Sequence, residues 1–202
     1  MLSIIKRIKT REDDVCHVDL CLDSSTNAVV VAKVANNDCA NQPSALMMKE
    51  VVAMLRISQS LDICAAPVRM HKASVRIQEA TTTLVMPLYP LDWNSAFPIN
   101  TSTMVARKIV VRTLHTLSEQ LHYLHQHVGV AHRDVRPDNI GMTPGLRPII
   151  FDFNSAECGD RAAACICMTG TQLFVRSPEA IVFELEECKS YNAYRADLWS
   201  LG

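Results

Sequence analysis

Glycine is scarce in this chain. Only six of its 202 residues are glycine, at positions 129, 141, 145, 159, 170 and 202, so none lies in the first 128. A loop in that stretch that brought its backbone close to a phosphate would have to do so with side chains attached. An excess of either charge is also missing. The 20 Lys and Arg against 21 Asp and Glu give a formal net charge of −1, which supplies no global basic field for nucleic acid or an anionic membrane. No apolar run approaches the roughly 18 residues needed to span a bilayer. The opening residues 1–7 lack the long apolar core of a secretory signal, although the basic, acid-free first eleven are also compatible with a mitochondrial presequence. Eight cysteines are present, at 16, 21, 39, 64, 158, 165, 167 and 188, without a C-x-x-C pair. They read as reduced thiols of a cytosolic protein, with the nucleus as an alternative compartment, rather than as a disulfide framework. What remains is a globular composition, 49% hydrophobic and 20% charged, with enough apolar material for a sizeable core.

Residues 1–35 alternate apolar and polar well enough to predict three strands, over 3–8, 15–22 and 28–34, with a turn cluster at 23–27. A helix over 44–58 follows, with Met47, Met48, Val51, Val52, Met54 and Leu55 as its apolar surface. Two further strand-like runs lie near 68–70 and 82–86, and Pro87-Leu88-Tyr89-Pro90 reads as a connector. Residues 91–127 read as mostly helical after an irregular start, with Val110, Leu114, Leu117, Leu121 and Leu124 recurring at three and four to form one face. His115, His122, His125 and His127 in the same region are expected at the surface or as satisfied core residues.

The chemistry concentrates in His132-Arg133-Asp134-Val135-Arg136-Pro137-Asp138-Asn139, with Asp152 thirteen residues further on inside the apolar run 148–153. One carboxylate can orient a hydroxyl, while an amide and a second carboxylate can hold Mg²⁺ through oxygen. The bland alternative is a charged surface loop.

H-R-D-x-x-x-x-N followed by Asp152-Phe153-Asn154 resembles the catalytic and metal-binding loops of eukaryotic protein kinases. Val31-Ala32-Lys33 is similar to the strand that carries the phosphate-binding lysine, and Glu50 lies where its glutamate partner belongs, although both could be ordinary solvated charges. The segment 170–179 resembles the family's G-T…P-E segment with one residue more, and Ala196-Asp197-Leu198-Trp199-Ser200-Leu201-Gly202 resembles the start of the buried helix under the catalytic loop. The resemblance implies an α+β, two-lobed fold: a small β-sheet lobe and hinge over 1–89 and a mainly helical lobe over 90–202, truncated after the start of that buried helix. The apolar surface of the last helix is then expected to be exposed.

It also implies the cofactors ATP and Mg²⁺ and a protein substrate carrying Ser or Thr, with no nucleic acid or membrane partner. Asp134 would orient the substrate hydroxyl, Arg136 would lie beside the γ-phosphate, and Lys33, fixed by Glu50, would hold the α- and β-phosphates. Asn139 and Asp152 would hold the metal. Ala32, Met86 and Leu88 would flank adenine, and Met54 would touch Phe153. Asp197 would hydrogen-bond the backbone around His132 and Arg133, and Arg133 would tether the loop after Asp152, through a phosphate on Thr169 or Thr171. The Pro137-Asp138-Asn139 ending favours Ser/Thr over Tyr specificity, whereas Arg136 in place of the usual lysine keeps the charge but is a larger planar fork and not a neutral change.

Three departures weigh against this. Lys9, Arg11 and Asp14 fall at the positions of the phosphate-loop glycines, which predicts weak ATP binding or none. Asn154 replaces the glycine of D-F-G, where its tolerance of positive φ would help. Gly141 falls where an apolar residue usually lies beneath adenine, which predicts a thin floor. The alternative is therefore a pseudokinase acting as a scaffold or regulatory module. A small-molecule phosphotransferase of kinase-like fold is a third reading, which would not need the segment 170–179.

Overall fold

A computed structural model describes residues 1–10, 16–36, 44–61, 74–77, 81–89, 91–93, 103–143, 145–166, 176–185 and 189–202. β1 (Leu2–Thr10), β2 (Cys16–Asp23) and β3 (Ala28–Asn36) form an antiparallel meander. The β2–β3 turn is set by its residues. The Asp23 carboxylate accepts from the Ser25 amide at 3.1 Å and the Ser25 hydroxyl at 2.8 Å, and Asn27 takes a left-handed φ of 52°. β5 (Thr81–Pro87) pairs with β3, and β4 (Ser74–Ile77) closes the sheet in the order β1-β2-β3-β5-β4. β4 is too short and too mixed in pattern to stand out in the sequence. The strand expected near 68–70 lies outside the described residues.

α1 (Ser44–Leu61) packs on β3 and β5 and reaches the turn after β9 (Pro148–Ile150). Only part of its expected apolar surface is buried. Met47, Val51, Met54 and Ile57 face the core, while Met48, Val52 and Leu55 are 41–44% exposed. At 100° per residue one packed stripe cannot include both rows. α2 (Thr103–Tyr123) behaves similarly: Leu117 and Leu121, with Leu124 just past its end, are buried, but Val110 and Leu114 are exposed and Thr113 and Gln120 take their place. Gln120 is buried because it works as a clamp. Its Nε2 donates to the Pro148 carbonyl at 2.7 Å, and its Oε1 accepts from the Ile150 amide at 3.0 Å, fixing β9.

A π turn over Leu124–Val128 ends at Gly129, whose φ of 68° lets its amide close back on the Leu124 carbonyl. From there the chain enters β7 (Val130–Ala131), β8 (Ile140–Met142) and, after β9, β10 (Glu157–Cys158). β8 pairs with β9 and with β6 (Leu91–Asp92), and β7 pairs with β10. Three helices complete the described chain: α3 (Asp160–Ala163), α4 (Pro178–Glu184) and α5 (Ala193–Leu201). Ser177 and Asn192 cap α4 and α5 through their side-chain oxygens. Leu198 and Trp199 on α5 are 53% and 56% exposed. One apolar core joins α1, the end of α2, β8, β9 and Phe153, so the sheet-bearing and helical parts share buried residues around the charged loop. No helix among the described residues is long and apolar enough to cross a membrane.

Candidate active site

β3 places Lys33 opposite Leu84 of β5, and α1 presents Glu50 from its buried side. Lys33 Nζ lies 2.6 Å from Glu50 Oε2 and 2.9 Å from Asp152 Oδ1, so one cation ties sheet, helix and the loop after β9. Burial alone would lower the Lys33 pKa, but Glu50 and then Asp152 outweigh it and raise it, keeping the ammonium charged. Glu50 is completely buried, and desolvation pushes its carboxyl above the ordinary value of 4.5 against the pull of Lys33.

Asp152 follows β9 with φ 66° and ψ 72°, a left-handed conformation unusual for a residue other than glycine. Its neighbours hold it there. The Phe153 ring is buried beside the His132 ring at 4.7 Å, and the Phe151 carbonyl lies 2.9 Å from His132 Nε2. Because His132 Nδ1 accepts from the Asp134 amide at 3.2 Å, Nε2 carries the hydrogen and donates to Phe151.

The catalytic-type loop hangs on Asp197, which is 1% exposed. Its Oδ2 accepts from the His132 amide at 2.7 Å and lies 2.9 Å from His125 Nε2; its Oδ1 accepts from the Arg133 amide at 2.6 Å. Arg133 has φ 67°, and its side chain reaches Tyr191 Oη at 3.0 Å, the Ser155 carbonyl at 2.9 Å and Glu157 Oε1 at 3.6 Å. Glu157 also meets Lys49 of α1. This network locks the loop that carries Asp134. Asn139 Nδ2 donates to the Asp134 carbonyl at 2.8 Å and to Asp134 Oδ2 at 2.7 Å, and Arg136 Nε lies 3.4 Å from that same oxygen. Asp134 Oδ1 is buried and, among the described residues, receives no donor. A buried carboxylate oxygen left without a donor is an acceptor with capacity for a hydroxyl.

The donor set suits a hard cation. Asn139 turns its nitrogen to Asp134, which leaves the amide oxygen for another partner, and Asp152 adds a carboxylate. Beside Asp152 the cleft is lined by Met54, Met86, Pro87, Tyr89 and Phe151.

The chain matches the protein kinase domain family over residues 14–202. It is similar to mitogen-activated protein kinase kinase 3 of Arabidopsis thaliana, 34% identical over 99 residues, 48% of this chain and 18% of that protein. It is also similar to serine/threonine-protein kinase 32B of Homo sapiens, 35% identical over 86 residues, 43% and 20% of the two chains. A broader match is to the "Probable CTD kinase subunit alpha homolog" of Encephalitozoon cuniculi, 28% identical over 138 residues, 65% and 39% of the two chains. The matched part is less than half of each relative's length.

The chain belongs to the protein kinase family.

Of its kinase-type residues, Lys33, Glu50 and Asp152 form one ionic cluster and Asp134, Asn139 and Arg136 another, and Asp152 lines the cleft. Met86 lines the cleft, Ala32 is buried on β3, and Leu88 is 38% exposed and outside the lining. Met54 and Phe153 share the core. Two expectations need correction. Asn154 does not take positive φ; the left-handed residue is Asp152, two positions earlier, so the glycine substitute is not used as such. The space beside Gly141 is not open either: a Cβ built there would lie 2.8 Å from Tyr89 Cβ and Cγ, so Tyr89 fills it. Of the three residues aligned with the phosphate-loop glycines, Lys9 is paired with Val18 in β1 and does not have positive φ, while Arg11 and Asp14 lie outside the described residues, as do Thr169 and Thr171. The sequence reading missed His125, Tyr191, Glu157, Lys49 and Tyr89 as supports. Each acts through tertiary contact, and only the Tyr89–Gly141 pairing had a signal, a glycine inside a strand.

Proposed function

We propose that the chain is a Mg²⁺- and ATP-dependent protein kinase domain that phosphorylates serine or threonine. The observation that supports this most is the Lys33 bridge to Glu50 and Asp152, because it aligns the phosphate cation with the metal carboxylate in one geometry. Phosphoryl transfer asks a protein mainly for in-line positioning and for cations around the phosphate oxygens. Lys33 stays protonated and would hold the α- and β-phosphates. Asn139 and Asp152 would hold Mg²⁺, which would supply neutralising charge for the phosphate oxygens. Asp134 Oδ1 accepts the hydrogen bond of the incoming hydroxyl and aims its lone pair at phosphorus. Arg136, 3.4 Å from the other oxygen of Asp134, brings a positive charge to the transferring group.

The second reading is a pseudokinase that keeps the fold for binding. It is favoured by the absence of any glycine before Gly129, which leaves the phosphate loop with side chains throughout. A thermal-shift titration with ATP, with and without Mg²⁺, separates the two, because a ligand of the folded state raises the melting point with saturation. A Mg²⁺-dependent shift lost in Lys33→Ala and Asp152→Ala, followed by phosphate transfer to a Ser/Thr peptide, is the expected result. A folded chain without a shift at millimolar ATP would replace the kinase reading with the pseudokinase one.

A further inference from the structure

We infer that Tyr89 recognises the nucleotide base: its ring, seated on Gly141, is the surface on which the purine stacks. This rests on the reading of the cleft as a nucleotide site and names the residue that carries its base. The cleft has two chemically distinct ends. Asp152, with Lys33 against it, gives a charged end suited to phosphates, and Met86, Pro87, Tyr89 and Phe151 give an apolar, partly aromatic end. A nucleoside triphosphate has the same polarity along its length.

Gly141 and Tyr89 form one shape. Any side chain at 141 would collide with Tyr89, its Cβ coming within 2.8 Å of both Cβ and Cγ of the tyrosine. β8 therefore gives up its own side chain, and the connector supplies a planar ring instead. That ring is held before a ligand arrives, because the Phe151 ring lies 5.8 Å away at 30° on another element. Burial also raises the phenol pKa well above its ordinary value of 10.0, so the ring stays neutral across the working pH range. A flat, neutral, pre-positioned aromatic surface at the apolar end of the cleft is what a purine stacks on.

The competing possibility is that the ring fills the base space and shuts the cleft. The two differ in sign. Adenosine and MgATP would be titrated calorimetrically into the wild-type chain and into Tyr89→Phe, Tyr89→Ala and Gly141→Ala, with circular dichroism to establish that each is folded. Stacking predicts adenosine binding by the wild type, little change in Tyr89→Phe, and about tenfold weaker binding of both ligands in Tyr89→Ala. Gly141→Ala should weaken binding by displacing the ring, and the double variant Tyr89→Ala/Gly141→Ala should lose no more than Tyr89→Ala alone. Equal or tighter binding by Tyr89→Ala would overturn the inference and identify the ring as a plug. MgATP binding without measurable adenosine binding would overturn it while leaving the kinase reading intact. Binding of neither ligand by the folded wild type would overturn both.

Discussion

Removing the Lys33 amine should destabilise the protein chiefly through what it leaves behind. Lys33 is the cation beside Glu50, a carboxylate with no exposed surface, and Asp152 lies on the other side of the same amine. In Lys33→Ala, Glu50 either stays ionised in an apolar setting or binds a proton. Breaking one partner of a buried pair costs about 3–5 kcal/mol, which for a chain of this length lowers Tm by roughly 10 °C. The pH dependence follows from the direction of the Glu50 shift. Its folded pKa lies above 4.5 through desolvation, and losing Lys33 removes the positive charge that pulls it down. Between the unfolded and the folded value the native state then holds the extra proton, so the variant's stability falls as pH rises through that window. Lys33→Ala should therefore lie closest to wild type near pH 5 and furthest from it near pH 8. Adding Glu50→Gln should recover much of the loss, because a neutral amide needs no counter-ion. Urea melts at both pH values for the two single variants and the double variant measure this. A loss independent of pH and unrelieved by Glu50→Gln would refute the argument, since it would place the effect in packing of the lysine stem.

Asp197→Ala removes the acceptor for the His132 and Arg133 amides and the partner of His125, so about 3–5 kcal/mol should be lost in urea melts, with Asp197→Asn retaining part. Glu157→Gln leaves Lys49 and Arg133 facing each other without their carboxylate and should lose about 1–3 kcal/mol; in a double-mutant cycle, adding Lys49→Met should restore part of it. Gln120→Ala deletes both hydrogen bonds that hold β9, and hydrogen exchange should show the Ile150 amide opening faster, with a global loss of about 2 kcal/mol.

The elements legible in sequence were those whose pattern is local. The alternation of residues 28–34 foretold β3 and so the placement of Lys33, and the polar turn residues Asp23 and Asn27 mark the β2–β3 turn. The spacing of Asp134, Asn139 and Asp152 carried the candidate site, because the Asn139 amide bonds back to Asp134 within the same short loop. What the sequence hid is long-range. Gln120 looks like a solvent-facing helix residue until β9 arrives with an unpaired carbonyl and amide. His125 is one of four histidines in its region, and only the fold selects it for Asp197, 72 positions away. Glu157 sits in an unremarkable segment, yet it joins α1 to Arg133. Val110 and Leu114 show the reverse error: their spacing was right for a helix face, but that face turned out to belong partly to Thr113 and Gln120.

The distribution of unfavourable features around the cleft bears on enzyme against scaffold. Arg133 and Asp152 both adopt left-handed backbone, each costing on the order of 1–3 kcal/mol. Asp134 keeps one carboxylate oxygen buried and bare, a further cost of about 1–3 kcal/mol. The compensations are specific: Asp197 grips the Arg133 amide, Lys33 grips Asp152, and His132 grips the Phe151 carbonyl between them. A binding module needs none of this at its centre. It would be more stable with Asp134 replaced by a small apolar residue and the turn at Asp152 relaxed. Strain and an unsatisfied acceptor, held in place by dedicated hydrogen bonds within one loop network, are what transition-state positioning would use. On the proposed reading the missing phosphate-loop glycines would weaken the grip on the nucleotide, whereas Asp134, held by Asn139, would still orient the attacking hydroxyl. On that division, this site should be limited by nucleotide affinity, with a high KM for ATP and a turnover that Asp134→Asn abolishes without changing nucleotide binding.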